Sequence, residues 1–98
     1  MEPCRMSKEV YGMKLKVIGS DLCPDTRDAL ERLDAIGAGY EFLNITASTE
    51  NLAEFLKIRD TDENYIPVRE RGGIGIPYFV FDDGTKTLDT DEALAKLG

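Results

Sequence analysis

The sequence predicts an α/β domain built on a four-stranded mixed sheet with helices on both faces, in the order β-α-β-α-β-β-α. Three patterns predict it. Polar and apolar residues alternate over 14–18 (KLKVI), apolar residues recur at helical spacing at Ala29, Leu30, Leu33 and Ile36, and the turn signal Asp82-Asp83-Gly84-Thr85 separates two late strand-like runs. A strand–helix–strand crossover followed later by a hairpin requires a sheet that mixes parallel and antiparallel pairs.

The elements follow in chain order. Residues 1–12 (MEPCRMSKEVYG) show no period and are expected to form a tail, leaving one domain over 13–98. Lys14 to Ile18 suit a first strand, which Gly19, Ser20 and Asp21 break. A helix is expected from Pro24 to Ile36, with Ala29, Leu30, Leu33 and Ile36 inward. Pro24 fits the first helical position, Asp25 and Asp28 favour the positive end of the dipole, and Gly37 can end the helix. Residues 40–45 (YEFLNI) read as a second strand. Ser48 or Thr49 can cap a second helix whose inward face is Leu52, Ala53, Phe55, Leu56 and Ile58. Residues 59–76 are expected to be an irregular, charged, glycine-rich connection. Tyr78 to Phe81 form an apolar strand, and Lys86 to Leu88 return from the turn. Thr90 is expected to cap a last helix with Asp91 and Glu92 in its first turn and Ala93, Leu94 and Leu97 inward.

Composition narrows the function. At 98 residues and 42% apolar, the chain has enough material for one modest core. Nineteen acidic against twelve basic residues give a net charge of −7, which argues against nucleic-acid and anionic-membrane partners. No apolar run is long enough to span a bilayer and the N-terminus has no signal-peptide core, so a cytoplasmic, monomeric protein is expected. Two cysteines in such a chain point to a reducing compartment and to a thiol rather than a disulfide framework. The absence of histidine removes the usual general base, the commonest metal ligand and any Cys-His pair.

Cys23 is the first candidate for chemistry. It follows a strand and precedes Pro24, so its sulfur is expected at a helix N-terminus, where backbone N–H groups favour the nucleophilic thiolate. Asp21 and Asp25 oppose it. Thr26, three residues on, can offer a hydroxyl to the thiolate but cannot attack a mixed disulfide. This strand-to-helix position favours a reactive thiol over a packed one. Ile76-Pro77 is the second candidate. A proline opening a central strand removes a ladder donor, and the residues alone leave a trans or a cis bond open. Gly72-Gly73-Ile74-Gly75 lacks the Lys-Ser/Thr of a phosphate loop and is followed by a strand, so it reads as a flexible approach and not a nucleotide site. Arg59, Arg69, Glu70 and Arg71 read as solvated surface, although an arginine can grip a ligand carboxylate. Asp60, Asp62 and Glu63 read as solvated, and Cys4 as incidental.

Cys23-Pro24-Asp25-Thr26 after a strand, Gly75-Ile76-Pro77-Tyr78-Phe79-Val80 before the third strand, and the order of elements from about Lys14 to Leu97 resemble a glutaredoxin of the thioredoxin superfamily in its monothiol form. The resemblance implies a thioredoxin/glutaredoxin-like fold and thiol–disulfide exchange dependent on glutathione as co-substrate. It implies Cys23 as nucleophile with Thr26 beside it, and Pro77 as a cis-proline. The Ile76 backbone would pair with the cysteinyl part of glutathione, with Asp91 holding the remainder. Glutathionylated or disulfide-bearing proteins would be the partners. Glutaredoxins carry Gly-Gly before the x-Asp pair at the last helix, where this chain has Leu88-Asp89-Thr90-Asp91. Two other readings share the fold. One is a carrier of an Fe-S cluster held by Cys23 of two chains and glutathione, without the Cys-Gly-Phe-Ser signature of cluster-binding members. The other is a binding module in which Cys23 does not turn over.

Overall fold

The alternating run lies in the middle of the sheet, where a strand needs apolar residues on both faces. In the structure, a computed structural model that describes residues 14–97, β1 (Leu15–Gly19) sits between β2 (Glu41–Asn44) and β3 (Tyr78–Phe81). The last strand, β4 (Lys86–Thr87), closes the far edge, giving the order β2-β1-β3-β4. β1 runs parallel to β2, with Val17 opposite Phe42, and antiparallel to β3, with Val17 opposite Phe79. β3 pairs antiparallel with β4. The sheet is therefore mixed, as the crossover and hairpin require. The tail, the start of the domain at residue 13 and Cys4 lie outside the described residues.

Successive residues of a strand face opposite sides, and the core divides accordingly. Leu15, Val17, Phe79 and Phe81 turn to one face, where they meet Ala29 and Leu33 of α1 (Pro24–Ala35) and Ala93 of α4 (Thr90–Leu97). Ile18 and Tyr78 turn to the other, where they meet Ile45, Phe55 of α2 (Thr49–Thr61), Tyr65 and Val68. Helices thus cover both faces. None of them is long and apolar enough to cross a membrane among the described residues.

Several local expectations need correction. α1 stops at Ala35, and Ile36 is 56% exposed instead of packed inward. The cause is Gly37, whose φ of +71° lets its N–H and that of Ala38 turn back onto Asp34 and Leu33 and end the helix one residue early. Of the five apolar residues assigned inward on α2, Phe55 alone is buried, while Ile58 packs at the rim. Ser48 caps α2 by accepting from the Asn51 N–H. The last helix is capped by Asp89, not Thr90: its Oδ1 accepts the N–H groups of Asp91 at 2.9 Å and Glu92 at 3.4 Å.

The 59–76 connection is not irregular throughout. α2 runs on to Thr61, a 3₁₀ turn covers Glu63–Tyr65, and a short helix, α3 (Ile66–Glu70), follows with Pro67 in its first turn. Two side chains anchor this segment: Tyr65 and Val68 are buried. Asp62, expected to be solvated, accepts the Tyr78 hydroxyl at 2.7 Å and the Asn64 N–H at 2.9 Å, with Lys86 3.7 Å away.

Candidate functional site

The turn 20–23 delivers Cys23 to the end of α1, and polar side chains from the end of β2 shape it. The Ser20 hydroxyl meets that of Thr46 at 2.7 Å and accepts the Leu22 N–H at 3.0 Å. The Cys23 N–H closes onto the Ser20 carbonyl at 3.0 Å, and Arg27 reaches back to the carbonyl of Asp21. Cys23 is then the N-cap of α1, in extended conformation, with Pro24 at the first helical position. Its carbonyl accepts the Arg27 N–H at 3.0 Å, while its side chain makes no capping hydrogen bond and is partly buried. Cys23 itself thus stands at the helix N-terminus.

Thr26 is fully buried and faces β1, not the solvent side of the turn. Its hydroxyl accepts the Ser20 N–H at 3.4 Å, and a Cβ placed on Gly19 would lie 2.6 Å from that oxygen. Thr26 thus packs the helix start against the strand end, and among the described residues no hydrogen bond joins it to Cys23.

Ile76-Pro77 is a cis peptide. The preceding glycine run is held firmly, in contrast to the expected flexible approach. Arg59 donates through Nε and Nη2 to the Gly73 carbonyl at 3.0 and 2.6 Å, and the Tyr65 hydroxyl donates to the Gly75 carbonyl at 2.6 Å. Arg69 donates to the carbonyls of Arg59 and Asp62. These two arginines therefore grip backbone.

One groove gathers three of the sequence candidates, Ile76, Pro77 and Asp91, while Cys23 and Thr26 are not among its lining residues. It is open, holds about 510 Å³, and is lined by Asp25, Asp28 and Arg32 of α1, by Ile76-Pro77, and by Leu88, Asp89, Thr90 and Asp91. Cys23 stands two residues before Asp25, so their Cα atoms are within roughly 7 Å of each other. Asp91 is 80% exposed at its side chain and pairs with Arg32 at 2.8 Å; Asp28 reaches Arg32 at 3.8 Å. The hydrogen bond to Asp91 raises the Arg32 pKa further, so the guanidinium stays charged. Sequence reasoning does not single out Arg32, although its i, i+4 spacing from Asp28 was the available signal.

An uncharacterized protein of Haemophilus influenzae is 31% identical to this chain over 70 residues, which cover 71% of this chain and 81% of the relative. The chain belongs to the family of that protein. No family model matches the chain, and no solved structure matches it. The shared stretch exceeds two thirds of both chains.

A resident metal centre does not fit the described residues. They contain no group of three or more His, Cys, Asp and Glu side chains placed to hold an ion. Cys23 is the free cysteine among them, so the described residues of one chain offer a single thiolate toward a cluster that takes four.

Proposed function

We propose that the protein has a thioredoxin/glutaredoxin-like fold and carries out monothiol, glutathione-dependent thiol–disulfide exchange with Cys23 as nucleophile. The observation that carries this reading is the groove. The flank of the helix capped by Cys23, the Ile76-Pro77 step and the 88–91 stretch line one cavity, although the helix lies roughly forty residues or more before the other two in sequence.

In this reading the Cys23 thiolate attacks one sulfur of a disulfide or glutathione mixed disulfide on a partner. The old S–S bond breaks, a new one forms to Cys23, and the departing sulfur leaves as a thiolate that takes a proton from water. Thr26 stands where a dithiol protein carries its second cysteine, so glutathione supplies the second thiolate. That thiolate attacks the mixed disulfide, releases Cys23 and leaves with the other sulfur as a disulfide. The Ile76 backbone would align the bound thiol partner as a short added strand, with Pro77 beside it. The expected setting is the reducing cytoplasm.

The test is intact mass followed by peptide mapping after exposure to oxidised glutathione, in a Cys4→Ser background so that Cys23 is the reacting thiol. A glutathione adduct on Cys23, removed by reduced glutathione and absent in Cys23→Ser, is expected. A folded protein whose Cys23 stays free under those conditions overturns the reading. One observation favours the binding-module alternative. Asp91, the residue assigned to glutathione, is already paired with Arg32. Partner capture that survives Cys23→Ser would select that alternative.

A further inference from the structure

Resting on the thiol-exchange reading above, we infer that the disulfide partner of Cys23 is cationic: a polypeptide segment with Lys or Arg beside its disulfide. Glutathione then enters mainly as the resolving thiol. The charge of the groove carries the inference. Its lining has the four carboxylates of Asp25, Asp28, Asp89 and Asp91 against the single guanidinium of Arg32, a net of three negative charges. Arg32 is committed to Asp91 at 2.8 Å and Asp28 at 3.8 Å, so no cation in the lining is left over for an incoming carboxylate. Asp89 holds two backbone N–H groups of α4 through one oxygen, which fixes its charge in place at the rim. Of the arginines at the Gly-rich approach, Arg59 and Arg69 are spent on carbonyls, and Arg71, which lies against Gly73, is not part of the groove lining.

Glutathione has two carboxylates and one ammonium, and the charge of this groove slows its entry without excluding it. A lysine or arginine on the partner is attracted by the same field, which the overall charge of −7 extends. Three net charges at about 10 Å in water change an encounter roughly tenfold for each unit of charge on the partner. Salt screens this within a Debye length of about 8–10 Å at physiological strength. Leu22, the neighbour of Cys23, is 73% exposed and offers an apolar contact suited to a polypeptide and useless to a small ion.

The step tested is formation of the Cys23 adduct. The thiolate displaces one half of a symmetrical disulfide, which leaves as a thiolate and is protonated by water. Three small disulfides of similar size differ in charge: cystamine (two ammonium groups), 2-hydroxyethyl disulfide (neutral) and 3,3′-dithiodipropionate (two carboxylates). In the Cys4→Ser protein at about 10 mM salt, adduct formation followed by mass is expected at least ~10-fold faster for cystamine than for the dicarboxylate. The ratio should fall at least about threefold on going to 0.5 M salt, and should fall in the same way in Asp25→Asn/Asp28→Asn at low salt. Leaving-group acidity also differs among the reagents, but neither salt nor the carboxamides alter it. Equal rates, a reversed order, or a ratio insensitive to salt overturn this inference alone. No adduct from any reagent overturns the thiol reading, and this inference with it. Should the double variant lose its fold by circular dichroism, the salt dependence of the parent protein decides.

Discussion

At the scale of a residue, Gly75 shows how the core disciplines the site. Its φ of +77° lies in the left-handed region, and a Cβ there would meet the Tyr65 ring at 2.6 Å and Val68 at 3.0 Å. Both neighbours are buried, so neither can step aside into solvent. Gly75 also precedes Ile76-Pro77, which lines the groove. Gly75→Ala combines backbone strain with overpacking, each of about 1–3 kcal/mol, and about 3 kcal/mol of lost stability is expected in urea denaturation. A loss below ~1 kcal/mol would mean that the Tyr65 ring has room to move. Gly72, with a φ of +74° and nothing within 4 Å of where an alanine methyl would stand, shares the strain but not the crowding. Gly72→Ala should therefore cost about 1 kcal/mol, clearly less than Gly75→Ala.

At the scale of an element, the 59–76 connection is held by a buried polar junction. Burial raises the Tyr78 pKa to about 12, reinforced by its hydrogen bond to Asp62. Burial opposes ionisation of Asp62, but the hydrogen bonds from Tyr78 and the Asn64 amide, with Lys86 nearby, outweigh it and lower its pKa. An unfolded phenol ionises near pH 10. Stability carried by neutral Tyr78 is thus complete below about pH 10 and is lost as pH rises to about 12. Stability carried by ionised Asp62 is present above about pH 4 and is lost as pH falls through its lowered folded value. Tyr78→Phe should cost about 1.5–3 kcal/mol at pH 7, and its denaturation midpoint should vary less with pH in both windows. A variant with the pH profile of the parent would exclude the junction as its cause. This segment also marks the limit of what the sequence discloses. β1 and α1 were legible because their patterns are periodic, and β3 because it is an apolar run ended by the Asp82-Asp83-Gly84 turn; Gly37 likewise ends α1. The 3₁₀ turn and α3 span too few residues for a period to emerge, and their anchors Tyr65 and Val68 are recognised only once β3 is in place. Cys23 and Pro77 were visible from local chemistry, whereas the meeting of Arg32 with Asp91 is a tertiary event fifty-nine residues apart in sequence.

At the scale of the molecule, two cores share one sheet, and the functional turn hangs from its central strand. β1 sends Leu15 and Val17 into the core beneath α1 and α4, and Ile18 into the core beneath α2 and α3. Neither core can form without β1 and β3, so the loss of either should release the other, and unfolding should be a single cooperative transition. The two cores nevertheless lie on opposite faces, so small perturbations within them should not feel each other directly. Leu33→Ala is expected to cost about 2–5 kcal/mol and Ile18→Val about 0.5–1.5 kcal/mol. With no shared side-chain partners, the double variant should lose the sum of the two to within about 0.5 kcal/mol. Urea denaturation followed by tyrosine fluorescence and far-ultraviolet circular dichroism checks both points. The Tyr65–Tyr78 pair, whose ring centres are 4.9 Å apart, reports from the α2–α3 side and Tyr40 from the α1–α4 side, while the helices report from both. Coincident transitions with additive losses fit one cooperative sheet carrying two independent packings. Separate transitions would mean that the α1–α4 side, with Cys23 at the head of α1, unfolds without the rest. The thiol would then be exposed by local opening instead of being presented by the native turn.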